Sequence, residues 1–196
     1  MLCGKMFMNT KAQTIRNKII DIADDLFYQQ GFNHTSFSDI AKEVGISRGN
    51  FYYHFKTKDD ILAAVLEKRK TGIKEMLQEW TENISSARER LNRYANMMVG
   101  LQDELIQYGC PVGSVCSELI KLKNIHQLDA TEMISLFRNW IIEQFMMLGY
   151  NKKKSDQLAM HLLTRTQGIG LMSQAFADRD YIKRETDELK QWINGL

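Results

Sequence analysis

Apolar residues recur at intervals of three and four along nearly all of this 196-residue chain, and no segment alternates strictly between apolar and polar residues. This spacing is typical of amphipathic helices, whereas half-buried strands alternate with a period of two. The sequence also contains a single proline, so few positions interrupt a helix. We therefore predict an all-α protein.

The composition indicates a soluble globular protein, with 44% hydrophobic and 26% charged residues. The first residues, MLCGKMFMNT, lack the apolar run of a secretory signal, and no later run is long enough for a transmembrane helix. Three cysteines without a repeated spacing do not suggest a disulfide framework. We expect a cytoplasmic protein with free thiols and no membrane association.

The periodic segments predict a series of helices. Ile15, Ile19, Ala23 and Phe27 make one apolar stripe on the first helix, which Gly31 is expected to end. A single helix is predicted from about Ser85 to Tyr108, and NKKKS at 151–155 is expected to be an exposed loop. The predicted helices begin near residue 15 and at Thr35 or Ser36, Ser47, Lys58 or Asp59, Ser85, Pro111, and residues 127, 155 and 180.

Residues 35–62 have the pattern of a helix-turn-helix, with Gly45 between two short helices and Ile46 filling the space between them. The exposed set predicted on the third helix is polar, aromatic and basic, which suits phosphates and base edges. It comprises Ser47, Arg48, Gly49, Asn50, Tyr52, Tyr53 and His54. An ordinary helical hairpin with a polar outer face is the alternative.

Charge is divided unevenly along the chain. The first 70 residues carry 11 basic and 8 acidic side chains, and the rest carry 15 and 16. A surplus this small is usual for a solvated face, so charge alone does not establish nucleic-acid binding.

The stretch GFNHTSFSDIAKEVGISRGNFYYHFKTKDDIL, residues 31–62, closely resembles the DNA-binding domain of TetR-family transcriptional regulators. The resemblance implies that Thr35 caps the first helix of the motif and touches phosphate. It implies that Arg48 and Asn50 face the major groove, with Ser47 and Gly49 allowing close approach. Tyr52, His54 and Lys58 resemble the family's contacts to the DNA backbone, whereas the position of Tyr53 varies. Asn50 stands where Thr or Ala is more usual, which leaves the operator preference open.

The same resemblance implies a homodimer that binds a double-stranded DNA operator and is released by a small-molecule effector. The expected organisation is a flexible tail (1–10), a helix-turn-helix domain (11–57), and an effector-binding and dimerisation domain (58–196) joined through a long helix. Dimerisation would use the last two helices, with Leu158, Leu162, Ile169, Met172 and Phe176 on one strip. Candidates for lining the effector pocket are Tyr94, Met98, Leu101, Phe137 and Trp140.

The segment GCPVGSVC, residues 109–116, contains the single proline of the sequence and two of its three cysteines. Gly109 fits the position past a helix end and Pro111 the first position of the next helix, so Cys110 is predicted to be its N-cap. A thiol there faces unpaired N–H groups and the positive end of the helix dipole, which favours the reactive thiolate. Cys116 is predicted to be buried, and too far along the helix for a disulfide with Cys110.

YGCPVGSVCSEL and TQGIGLMSQAF also resemble, more loosely, the effector domain of the NemR-type subgroup of the TetR family. The subgroup includes repressors that respond to electrophiles through a cysteine, which makes Cys110 the candidate effector or redox residue. The alternative is a structural cysteine beside a non-covalent ligand pocket.

Two other classes of function compete with a regulator. One is a thiol enzyme with Cys110 as nucleophile and His126 or His161 as base, and the other is a helical interaction module without DNA affinity. No local signature places a base beside the thiol, and the histidines and cysteines share no metal-ligand spacing. We therefore expect no enzyme, catalytic residue, metal or cofactor.

Overall fold

The computed structural model describes residues 11–196, without the side chains of Lys11 and Arg48. Within that range the chain forms helices and no strand, which confirms the all-α prediction. The flexible tail predicted for residues 1–10 lies outside the described residues. The helices are α1 (Lys11–Gln30), α2 (Phe37–Val44), α3 (Arg48–His54), α4 (Lys58–Asn83), α5 (Ala87–Gly100), α6 (Gln102–Tyr108), α7 (Pro111–Lys121), α8 (Gln127–Met147), α9 (Lys152–Phe176) and α10 (Arg179–Gly195).

The chain divides into two compact units, Met1–Val65 and Leu66–Leu196, and the division falls within α4. In the first unit, α1 buries the predicted stripe through Ile19, Ala23 and Phe27. Gly31 then ends α1 with a positive φ of 88°, and its N–H bonds to the carbonyl oxygen of Phe27. A left-handed residue at this position is the usual helix stop.

In the second unit, α8 packs against α7 and α9, while α10 packs against α5 and α9. Helix α6 also lies against α9. The side chains at the centre of this unit have almost no exposed surface, and include Leu91, Tyr94, Met133, Ile141 and Phe145. Within residues 11–196, none of the helices combines the length and apolar character needed to cross a bilayer.

The single helix predicted from Ser85 to Tyr108 was wrong, because the chain leaves helical geometry at Leu101. This residue has φ −108° and ψ 18°, and it separates α5 from α6. Gly100 precedes the break, and glycine is a weak helix former. Two shorter helices therefore replace the predicted one.

The loop predicted at 151–155 was also wrong, since α9 begins at Lys152. The side-chain oxygen of Asn151 accepts a hydrogen bond of 3.0 Å from the backbone N–H of Lys154. Asparagine is a strong N-cap, and this cap extends the helix to the start of the lysine run.

The five residues predicted to form one strip on α9 differ in their exposure. Leu158, Leu162 and Ile169 are buried within their own unit. Met172 and Phe176 are exposed, and Ser173 is the one buried residue in the last turn of α9. Only Met172 and Phe176 of this strip are exposed for contact with a second copy, and the role of the strip in dimerisation stays a prediction.

Candidate DNA-binding surface and effector cleft

The start of α2 is fixed by a capping box. The backbone N–H of Asp39 bonds to the hydroxyl of Ser36, and the carboxylate of Asp39 accepts the N–H of Ser36 at 2.8 Å. These hydrogen bonds lower the pKa of Asp39. Ser36 is exposed and is the N-cap of this helix.

The prediction that Thr35 caps α2 and touches phosphate was wrong. Its side chain has no exposed surface, and its hydroxyl donates a hydrogen bond of 2.7 Å to the carbonyl oxygen of Gly31. A buried hydroxyl paired with a backbone carbonyl stabilises the loop between α1 and α2. The exposed hydroxyl at this helix start belongs to Ser36 instead.

A tight turn sets the position of α3. Gly45 has φ 74° and donates its N–H to the carbonyl oxygens of Ala41 and Lys42. Ser47 then caps α3 by accepting the backbone N–H of Asn50 at 3.4 Å. The turn predicted from Gly45 and the cap predicted from Ser47 are both confirmed.

Helix α3 buries one face and exposes the other. Phe51 and Phe55 are buried and attach α3 to its unit. Gly49 and Asn50 are exposed, and Tyr52 and Tyr53 expose 48% and 72% of their surface. His54 is half-buried, with its ring against Tyr53 at a centroid distance of 5.1 Å. The backbone of Arg48 begins the helix, and its side chain lies outside the described part of the chain.

Two residues that sequence reasoning did not select support this face. Phe37 on α2 stacks on the ring of Tyr52, with centroids 4.9 Å apart and planes 25° from parallel. Lys56 is exposed, and its ammonium donates a hydrogen bond of 2.5 Å to the carbonyl oxygen of Tyr52. The four-residue spacing from Tyr52 to Lys56 was a usable signal for this contact.

Lys58 has a structural role in the first unit. Its ammonium donates to the carbonyl oxygens of Phe32 at 2.8 Å and Thr35 at 3.0 Å, and it lies 4.2 Å from the centre of the Phe32 ring. Two of its three N–H donors therefore hold the loop before α2. Its contact with the DNA backbone stays a prediction.

In the second unit, Cys110 is the N-cap of α7, as predicted. Its sulfur accepts the backbone N–H of Gly113 at 3.3 Å and the side-chain N–H of Gln167 on α9 at 3.4 Å. Pro111 occupies the first helical position, and Gly109 precedes the cap with φ 78°. Cys110 is half-buried, and its thiol is free.

Cys116 is buried with a free thiol, as predicted, and its sulfur lies 3.7 Å from the hydroxyl oxygen of Thr131. The two histidines considered as bases for Cys110 have other contacts. His126 bonds to Asp129 at 2.9 Å, and the ring of His161 lies 4.6 Å from that of Trp192. A thiol–histidine pair is therefore not formed by these side chains.

An open cleft of about 440 Å³ lies between α7 and α9, with Cys110 among its lining residues. The α7 wall includes Ser114, Ser117, Glu118 and Lys121. The α9 wall is made by Gln167, Leu171 and Gln174. Sequence reasoning found Cys110 and missed the rest, although the three- and four-residue spacing along each wall was a signal.

Two glycines, Gly113 and Gly170, lie near Cys110. The nearest contacts that a Cβ at Gly170 would make are 3.6 Å from the Cβ of Cys110 and from a methyl of Leu105. A Cβ at Gly113 would lie 2.2 Å from the side-chain oxygen of Gln167. A Cβ at Gly170 would therefore be in ordinary van der Waals contact, whereas one at Gly113 would require the flexible side chain of Gln167 to move.

Side chains of α4 bond to the first residue of α7 and to acidic residues in the first part of α8. Arg69 donates a hydrogen bond of 2.6 Å to the carbonyl oxygen of Pro111. The next residue, Lys70, is nearly buried, and its ammonium bonds to Glu132 on α8 at 3.0 Å and lies 3.6 Å from Asp129. The hydrogen bond with Glu132 is the main reason that the pKa of Lys70 is raised.

The predicted pocket residues lie mainly in the core of the second unit. Tyr94, Met98, Phe137 and Trp140 are buried, whereas Leu101 is partly exposed. The hydroxyl of Tyr94 pairs with that of Thr166 at 3.2 Å, and burial raises the pKa of Tyr94. None of the five lines the cleft between α7 and α9. Their role in ligand binding stays a prediction.

Comparison with known proteins decides the family. The family model described as "Bacterial regulatory proteins, tetR family" matches residues 19–65, which include all of α2 and α3. An uncharacterised HTH-type transcriptional regulator from the lacX 3' region of Lactococcus lactis subsp. lactis is 26% identical over 187 residues, covering 89% of this chain and 91% of the relative. Residues 19–65 of this chain belong to the TetR family of bacterial regulatory proteins.

Solved structures of TetR-family regulators have the same fold. One from Legionella pneumophila superposes with a TM-score of 0.80 at 24% identity, covering 95% of this chain and 98% of that one. The reduced form of E. coli NemR gives a TM-score of 0.75 at 16% identity, covering 90% and 96%. The TetR-family match over α2 and α3 explains the helix-turn-helix and indicates a DNA-binding transcriptional regulator.

Proposed function

We propose that this TetR-family regulator is a homodimeric repressor that binds a near-palindromic operator through α3 and is released when an effector acts at the cleft between α7 and α9. The observation that carries the DNA-binding part is the exposed face of α3, held in place by buried Phe51 and Phe55. No catalytic role is assigned. The protein would act in the cytoplasm, on DNA.

Each exposed group on α3 has a proposed role. Arg48 and Asn50 would read base edges in the major groove, since Arg pairs with guanine and Asn with adenine. Ser47 and Gly49 would allow the helix to approach closely. Tyr52, Tyr53 and His54, with Lys58, would contact phosphates, which set position and supply salt-dependent affinity.

The DNA-binding proposal is tested by fluorescence anisotropy with the DNA upstream of the protein's own gene. We expect binding that weakens steeply with salt and exceeds binding to unrelated DNA of the same length. Asn50→Ala should cost about 1–3 kcal/mol of discrimination between the two. Asn17→Ala, on the exposed face of α1, is the matched control. Equal affinity for both DNAs, unchanged by Asn50→Ala, would contradict the proposal.

The homodimer is proposed to form through α9 and α10. On α9, Met160, Met172 and Phe176 are exposed outside the cleft wall. Gly168 lies among them, and a Cβ placed there meets nothing within 4 Å, so a second helix could approach closely. A two-fold dimer would read two half-sites in successive major grooves, about 34 Å apart or more.

The effector is proposed to act where α7 begins. Cys110 offers a thiol for an electrophile or oxidant, and the adjoining cleft offers space for a non-covalent ligand. Either would disturb the cap of α7 and the carbonyl of Pro111 that Arg69 on α4 holds. Since α4 continues into the DNA-binding unit, a shift of α4 is the proposed route of release.

A further inference from the structure

We propose that Gln167 on α9 controls the reactivity of the Cys110 thiol, because its side-chain amide donates a hydrogen bond that favours the thiolate over the thiol. The inference rests on the proposed function, in which an effector acts at this thiol, and it names the side chain that regulates it. Gln167 is a positioning residue in this proposal, since it acts through the sulfur and does not contact the effector.

Two N–H donors from different helices meet at the sulfur of Cys110. The backbone nitrogen of Gly113 on α7 lies 3.3 Å from it, and the side-chain nitrogen of Gln167 lies 3.4 Å from it. The sulfur is the acceptor in both contacts. A hydrogen bond to an ionised acceptor is roughly twice as strong as one to a neutral acceptor, so both contacts favour loss of the thiol proton to water.

The charged side chains of the cleft lie too far along α7 to have this effect. Glu118 and Lys121 line the cleft about 12 Å and 16 Å from Cys110 along the helix axis. Salt screens exposed charges beyond about 8–10 Å. Tyr94 on α5 lies close enough for the charge of Cys110 to help raise the pKa of its hydroxyl, although burial is the main cause, and Tyr94 is neutral. The two N–H donors therefore dominate at the sulfur.

Glycine at position 113 leaves room for the amide of Gln167. A Cβ there would lie 2.2 Å from the side-chain oxygen of Gln167 and 3.4 Å from the Cβ of Cys110. The amide is the far end of a flexible side chain, so it would move away from a new methyl group and away from the sulfur. Gly113→Ala therefore displaces the donor of Gln167 without removing it, and alanine also favours the helix.

The rate at which N-ethylmaleimide alkylates Cys110 tests the inference, because the thiolate is the nucleophile. The thiolate adds to the C=C bond, a carbon–sulfur bond forms, and the resulting enolate takes a proton from water. Mass spectrometry of the peptides separates Cys110 from the other cysteines. We expect Gln167→Met, which keeps the length of the side chain and removes the donor, to slow alkylation by about tenfold at pH 7. Gln174→Met, on the same helix and the same cleft wall, is the matched control and should react as the wild type does.

The pH profile of the rate separates an effect on the thiolate from an effect on access to the thiol. For Gln167→Met the rise in rate should occur at higher pH, and the rate should approach that of the wild type once the thiol is ionised in both proteins. Gly113→Ala should shift the profile in the same direction. It should have no further effect in the Gln167→Met background, because both changes remove the same contact. Urea unfolding checks that the variants fold, and Gly113→Ala should be at least as stable as the wild type.

The outcomes distinguish this inference from the proposed function. Alkylation of Gln167→Met at the wild-type rate, or slowing by the same factor at every pH, overturns the inference, whether or not alkylation releases the operator DNA. A shift of the profile in Gln167→Met and Gly113→Ala, without a shift in Gln174→Met, supports it. If the alkylated wild type then stays bound to the operator, the role of Gln167 stands and the proposed function is contradicted.

Discussion

Arg69 on α4 donates a hydrogen bond of 2.6 Å to the carbonyl oxygen of Pro111, the residue next to Cys110 at the start of α7. The contact joins the helix that runs into the DNA-binding unit to the residue beside the candidate sensor. It gives the proposed release a defined physical step, since disturbing the cap at Cys110 moves the carbonyl that holds Arg69.

Arg69→Met keeps the length of the side chain and removes its donors. We expect Cys110 to be alkylated as before, while alkylation no longer releases the DNA, because α7 and α4 have lost this contact. Lys74→Met, on the exposed face of α4, is the control. Anisotropy with the upstream DNA and mass spectrometry of Cys110 give the two readouts. Full release of the alkylated Arg69→Met variant would show that the hydrogen bond is not part of the route.

Thr35→Val removes a buried hydroxyl that donates to the carbonyl oxygen of Gly31. We expect the free energy of unfolding to fall by about 1 kcal/mol, because the part-buried hydrogen bond to this carbonyl oxygen is lost. Ser36→Ala should cost about 1 kcal/mol through the lost cap. The salt dependence of DNA binding should be the same for Thr35→Val and the wild type. A weaker dependence of DNA binding on salt for Thr35→Val would show that Thr35 does contact a phosphate, contrary to its buried position.

Gly168→Arg tests the proposed dimer face on α9. The new side chain has space in the single subunit, since a Cβ at this position meets nothing within 4 Å, and it would obstruct a second copy. Gly72→Arg on α4 is the matched control, because it also adds a Cβ in open space. Light scattering after gel filtration should give a monomer for Gly168→Arg and a dimer for Gly72→Arg. If both variants are dimers, the dimer interface does not include Gly168.

Asp129 provides a test of pH dependence. Its hydrogen bond with His126, and then the charge of Lys70, lower the pKa of its carboxyl. A carboxyl whose pKa is lower in the folded state stabilises the fold above its unfolded value, near 3.8, and this contribution is lost as the pH falls through the folded value. Asp129→Asn should therefore reduce the free energy of unfolding at neutral pH.

The expected loss is below about 1 kcal/mol, because the side chain is nearly half exposed and solvent screens the pair. Urea unfolding at pH 7 and at about pH 3 should show the difference between Asp129→Asn and the wild type shrinking with acid. Glu79→Gln, an exposed position on α4, serves as the control. If the difference in the free energy of unfolding is the same at both pH values, the ionised carboxylate of Asp129 does not stabilise the fold.

The local signals in the sequence predicted much of this fold. Gly31 and Gly45 mark helix ends, and Ser47 and Cys110 mark helix starts, because each acts through the backbone beside it. The exposed face of α3 could also be predicted, since buried Phe51 and Phe55 fix which side faces outward.

What the sequence could not predict depends on residues far apart in the chain. The choice between Thr35 and Ser36 as the cap is decided by the carbonyl of Gly31 in the preceding loop. The partner of Cys110, Gln167, lies 57 residues away on α9. The cleft arises from two helices whose spacing no local pattern encodes.

The central claim is that this regulator binds its operator through α3 and is released at the Cys110 end of α7. The most direct measurement is operator binding with and without N-ethylmaleimide, in parallel for the wild type and Cys110→Ser. We expect alkylation to release the wild type and to leave Cys110→Ser bound. If both stay bound, or both are released, Cys110 is not the point of release and the claim is contradicted.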